Sequence, residues 1–232
     1  MFVSSLFVVS RIYRGFCPKT GEEAMRFARA SVLLGAIVAS GAAVAGTPGF
    51  CNSAAITIND AANASPYPSA VTVVGAPGSI TGVTVSLNGV THAFPDDLSI
   101  VLVGPTGAAL LLQSGAGDSA SALSGVSYTF ADAAAAQLPD LTGWAPGSYK
   151  PTSYYGGGDN FPAPGPGVTY GNPGPGGGGT ATLASVYNGT SANGTWNLYA
   201  VDFAAGDAGQ ISGGWCIAFT GTPVSLQQFT VE

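Results

Sequence analysis

One histidine, a scatter of aspartates, three cysteines and a run of aromatic rings are the side chains with chemistry to offer in this chain of 232 residues. His92 is the sole imidazole, and no Gly-x-Ser-x-Gly elbow accompanies it. A Ser–His–Asp hydrolase is therefore not expected, and no catalytic residue is assigned. His92 lies where a strand enters a turn, which suits a packed or hydrogen-bonded ring better than a general base. One His and a bonded cysteine pair leave too few ligands for zinc. The carboxylates offer more. Asp96 and Asp97 precede a strand, and Asp202 and Asp207 flank the turn between two later strands. If those turns converge, their oxygens suit Ca²⁺, with backbone carbonyls and water completing the shell. Equally, each Asp can cap its own turn by accepting a nearby backbone N–H. No Asp-x-Asp-x-Asp-Gly loop decides between the two readings. The rings Trp144, Tyr149, Tyr154 and Tyr155 can present faces to a sugar or a protein partner, or can close their loop onto the domain. Gly174–Gly179 matches Gly-x-Gly-x-x-Gly through low complexity alone and opens no helix, so it is no phosphate loop.

The elements that position these side chains begin after a leader. Met25-Arg26-Phe27-Ala28-Arg29 and the apolar run Ala30–Ala39 read as the n- and h-regions of a signal peptide. Ala43-Val44-Ala45 supplies the small residues a signal peptidase reads, so cleavage is expected after Ala45, with translation starting at Met1 or at Met25. Residues 1–45 are leader, 46–222 the folded domain and 223–232 a tail. Export places the protein outside the cell, in the periplasm or at the cell surface. Cys17 leaves with the leader, and Cys51 and Cys216 are expected to form a disulfide between the start and the last strand of the mature chain.

Beyond residue 45 the only Lys or Arg is Lys150, against ten acids, a formal charge of −9. So acidic a surface disfavours nucleic acid and anionic membranes as partners. Over the whole chain 46% of residues are hydrophobic and only 8% charged, while 35 Gly and 16 Pro favour many short strands joined by turns. Leu98–Val103 is almost wholly apolar, as a central strand covered on both faces should be. Ala108–Gln113 reads as its returning partner. Val83, Val85 and Leu87 alternate with Thr84 and Ser86, and Asn88-Gly89 marks a tight hairpin turn. Further strands are expected at 55–58, 70–74, 125–130 and 181–187, with a helical turn or two at 131–137. Residues 143–179 hold 13 Gly and 7 Pro, which predicts an ordered surface loop with no regular ladder. Trp196, Leu198 and Ala200 share one strand face, as do Trp215, Ile217 and Phe219, and both rows feed a common core.

Thr91-His92-Ala93-Phe94-Pro95-Asp96-Asp97-Leu98, then Gly104-Pro105-Thr106-Gly107, then Asn193-Gly194-Thr195-Trp196 and Gly209-Gln210-Ile211 through Trp215-Cys216-Ile217 resemble the P domain (Homo B domain) of subtilisin-like proprotein convertases. The resemblance covers about residues 80–221 as two anchored ends around a divergent middle. It implies an all-β, jelly-roll, antiparallel β-sandwich, galactose-binding-domain-like, with His92, Trp196 and Trp215 in structural positions. In convertases this domain follows the protease domain and stabilises it. Here the stretch from Ala45 to Ile80 is too short for a protease, so a free-standing module of the bacterial type is expected. The function expected is non-catalytic: binding an extracellular protein or glycan, or structural support. The alternatives are an accessory domain of a subtilisin-like serine endopeptidase system and a carbohydrate-binding or adhesion module. No cofactor beyond Ca²⁺ is expected.

Overall fold

The computed structural model describes residues 49–76, 78–118 and 122–222. The leader at 1–45, its Met25 start, Cys17 and the tail at 223–232 lie outside them. The strands are β1 (Phe50–Asn52), β2 (Ile56–Ile58), β3 (Ser69–Val73), β4 (Ile80–His92), β5 (Leu98–Val103), β6 (Ala109–Ser114), β7 (Leu123–Ala131), β8 (Ala136–Gln137), β9 (Gly147–Lys150) and β10 (Thr152–Ser153). A helical turn, α1 (Leu183–Tyr187), leads to β11 (Gly194–Asp202), β12 (Gly209–Ile211) and β13 (Trp215–Gly221). Two sheets form. One has eight strands, ordered β1-β13-β4-β7-β9-β8, with β12 on β4 and β2 on β12. The other has five, ordered β10-β6-β5-β11-β3. Their facing sides make an all-β sandwich.

Alternation fills the interior. Val83, Val85 and Leu87 of β4 and Trp215, Ile217 and Phe219 of β13 meet Trp196, Leu198 and Ala200 of β11 in one core. Both large indoles are fully buried with their N–H groups satisfied. Trp196 Nε1 donates to Ala192 O at 2.8 Å, and Trp215 Nε1 donates across the sandwich to Ser69 Oγ at 3.0 Å. Cys51 and Cys216 face each other across the β1–β13 ladder and are joined by a disulfide that closes 165 residues. In the chain-entropy model so long a loop contributes about 5 kcal/mol.

Several expectations need correction. Asn88-Gly89 makes no hairpin, since β4 runs through it. Between the pairs Leu87↔Tyr128 and Val90↔Val126, β4 carries one extra residue, and the positive φ of Gly89 (71°) serves a β-bulge. The strand expected at 181–187 is α1. Thr182 Oγ1 accepts from Ser185 N and Ser185 Oγ accepts from Thr182 N, a reciprocal cap that overrides the β-favouring residues. Asp132 completes the cap from a distant turn, accepting from Leu183 N at 3.0 Å and Ala184 N at 2.7 Å. Residues 131–137 hold a turn and β8 rather than a helix. The sandwich is not purely antiparallel: β6–β10, β7–β9 and β8–β9 pair in parallel. Two of those strands, β9 and β10, fall inside 143–179, where no ladder was expected. They use its less Gly/Pro-dense first third. The two Trp-bearing strands, β11 and β13, lie in different sheets.

The rest of 143–179 forms a second layer. Val101, Ala109, Leu111, Tyr199 and Val201 make the outer face of the five-stranded sheet apolar, and Phe161 inserts over them with no exposed surface. Tyr67 and Tyr199 donate to Pro162 O (3.1 Å) and Pro164 O (2.9 Å), which pins the layer to the sheet. Burial there, with Tyr199 alongside, pushes the Tyr67 phenol up to about 12.

Candidate functional site

The polar residues singled out in the sequence gather where the β4–β5 connection, the end of β11 and the loop before Phe161 meet. His92 ends β4 and Asp202 ends β11. His92 Nε2 donates to Asp202 Oδ2 at 3.2 Å, and neither side chain has exposed surface. The other ring nitrogen is also occupied. Nδ1 lies 2.9 Å from Phe94 O and 3.3 Å from Phe94 N, so it has a partner whether it donates or accepts. The pair ties one sheet to the other. Burial raises the Asp202 carboxyl above its ordinary range, opposed by the Ala204 N–H and by His92, while Asp60 adds to the rise.

The four expected Ca²⁺ ligands are neighbours but not a chelating set. Asp202 is turned to His92 and, through Oδ1, to Ala204 N at 3.0 Å, a turn of its own making. Asp96 accepts from the Tyr155 hydroxyl. Asp97 is held above the usual carboxylate range by burial first, then by the charges of Asp202 and Asp96 and, more weakly, Asp207. Among the described residues no three His, Cys, Asp or Glu side chains group as a metal-binding set.

The expected ligand-contact rings are mostly inside. Trp144 is 7% exposed and stands edge-on to Tyr128. Tyr149 donates to Ala145 O at 2.9 Å and Tyr154 to Leu138 O at 2.7 Å, and both rings pack against the main core. Tyr155 alone stays open, at 51% exposure. The physical reason is that the loop strands β9 and β10 lie on the sheets, so their rings find apolar neighbours before they find solvent.

Sequence patterning passed over Asp159 and the serines beneath it. Asp159 is 9% exposed, and its Oδ2 accepts from Ser99 Oγ at 3.0 Å. The available signal was a lone serine set in the otherwise apolar strand Leu98–Val103. Elsewhere, a cavity of about 400 Å³ opens between β4, β13 and α1, walled by Val83, Ala131, Ala184 and Ala218 and rimmed by Thr84 and Thr220. No described helix is long and apolar enough to cross a membrane.

Fold and site together define a disulfide-closed β-sandwich whose imidazole is buried against Asp202. No family model and no curated protein matches the sequence. Among solved structures, the chain is similar to the serine protease of Aeromonas sobria in complex with the chaperone, with 15% identity over 77% of this chain and a TM-score of 0.37. It is similar to that protease alone with 14% identity over 77% of this chain and a TM-score of 0.39. The match takes in 27% of each protease chain.

Proposed function

We propose that the chain is an extracellular, non-catalytic module of the P-domain type that binds and stabilises another protein, in the first place a subtilisin-like protease. The observation that supports this reading is the burial of its one imidazole. His92 has no exposed surface, and both ring nitrogens are engaged by Asp202 and by the Phe94 backbone. A general base must reach the proton it takes. The cross-strand disulfide fits an oxidising compartment. The P-domain resemblance supplies the role of stabilising a protease. The glycan-binding alternative loses its footing, since three of the four rings it needs lie in or against the core.

The test mixes the purified mature chain with a subtilisin-like protease from the same source. A rise in the protease's Tm and co-elution on gel filtration are expected, with no peptide hydrolysis by the chain alone. Hydrolysis that persists through purification and vanishes in His92→Gln, with the fold intact by circular dichroism, would overturn the reading.

A further inference from the structure

The outer face of the five-stranded sheet carries a row of buried serines, one of which has no hydrogen-bond partner. Ser114 pairs with Ser153 in the β6–β10 ladder. On its other side, β6 holds one extra residue, Leu112, between the pairs Ile100↔Gln113 and Val101↔Leu111. The irregularity turns Gln113 inward, where its Oε1 accepts from the Tyr128 hydroxyl at 2.6 Å. The next residue, Ser114, therefore points outward beside Ser99. None of the three serines has exposed surface.

Their hydroxyls fare differently. Ser99 Oγ donates to Asp159 Oδ2 at 3.0 Å, and Ser153 Oγ accepts from Gly156 N at 3.2 Å. Ser114 Oγ, between them, is buried without a partner. Buried hydroxyls without partners are rare, and each calls for an unseen one. The cover over the row is the segment Tyr155–Asp159, and the Tyr155 ring lies so close to Gly115 that an added Cβ would come within 2.9 Å of Cδ1. The Tyr155 hydroxyl donates to Asp96. Lys150 is the only Lys or Arg after residue 45, and it lines a separate small pocket with Gln137 and Thr182.

We infer that Asp159 and Ser114, with Ser99 and Ser153 alongside, form a site for a hard divalent cation, Ca²⁺. Hard cations accept carboxylate, hydroxyl, backbone carbonyl and water oxygens together, so the site needs no cluster of three acids. Asp96, held on the covering segment by the Tyr155 hydroxyl, supplies negative potential without entering the shell. A site with one carboxylate ligand belongs with the weak extracellular class, with Kd of about 10⁻⁴–10⁻³ M. It differs from the Asp96, Asp97, Asp202 and Asp207 set by resting on a hydroxyl that lacks any other partner.

Terbium supplies the probe, because Tyr155 within the segment and Tyr170 beside it can sensitise its emission. Tyr170 donates to Asp159 O at 2.9 Å. The wild-type chain is expected to give saturable Tb³⁺ emission that millimolar Ca²⁺ displaces, and a Tm that rises with Ca²⁺. Asp159→Asn should abolish both responses, and Ser114→Ala should weaken Tb³⁺ binding about tenfold. Asp207→Asn should leave both in place. Since Asp159→Asn can loosen the loop, Ser114→Ala with an unchanged circular dichroism spectrum is the deciding variant. No Tb³⁺ signal in the wild type overturns the site. So does unchanged affinity in Ser114→Ala, which would leave an ordered water as the hydroxyl's partner. Loss in Asp207→Asn with retention in Asp159→Asn would also overturn it.

Discussion

Two cores share the five-stranded sheet, and they are built by different means. The inner one is strand against strand, with Trp196 and Trp215 between two ladders. The outer one is loop against strand, with Phe161 held over Val101, Leu111 and Val201 by a segment rich in Gly and Pro. Both bury an aromatic ring completely. The inner core is locked by continuous backbone ladders on both sides. The outer one is held by tyrosine hydroxyls and a few isolated bridges, such as Phe161↔Gly167 and Leu110↔Gly171. Equal burial does not make equal cooperativity, because a layer without a ladder can open while the sandwich stays closed.

The largest effect is expected at the inner core. Trp196→Ala should cost about 3–5 kcal/mol and lower Tm globally, read by denaturant unfolding. Phe161→Ala removes an equally buried ring but should cost less, about 2 kcal/mol, because the layer can detach. Hydrogen exchange should show residues 161–171 losing protection while β4 and β11 keep theirs. Equal losses for the two variants, with protection lost everywhere, would erase the distinction between the cores.

A smaller effect is expected from the acidic rim between them. Burial and neighbouring carboxylates hold Asp97 above its ordinary range in the folded state. The folded form thus binds its proton more tightly than the unfolded one. That contribution is fully present below the ordinary Asp value of 3.8 and is lost as pH rises through the raised folded value. Asp97→Asn should flatten this part of the Tm-against-pH profile, and its Tm at neutral pH should not fall. An unchanged profile would remove Asp97 from the account. The smallest effect belongs to Tyr155→Ala, within about 0.5 kcal/mol, since half the ring is already in water. A larger loss would show that the cover over Asp159 is part of the outer core.

Much of the inner core was legible. The period-two rows on β4, β11 and β13, the doubly covered strand at Leu98–Val103 and the Cys51–Cys216 link all follow from local pattern, because alternation and compartment chemistry act on neighbouring residues. The outer core was half legible. The nearly all-apolar run of β5 announced a second cover, but nothing in 143–179 repeats with a period that could name it. The candidate site was the least legible. Asp96, Asp97, Asp202 and Asp207 were visible as turn residues, while Asp159 and Ser114 were not, because a bulge in β6 decides which way Ser114 faces.

By itself the amino-acid order determined the long core strands and their apolar faces, and that one imidazole and a single late cation limit the chemistry. Those are properties of composition and short-range spacing. Only the tertiary structure decided that His92 meets Asp202 across 110 residues, that Leu183–Tyr187 coils under the carboxylate of Asp132, and that Ser99 meets Asp159 beneath one loop. Such meetings depend on register, bulges and layer packing, where a shift of one residue sends a side chain to the opposite face.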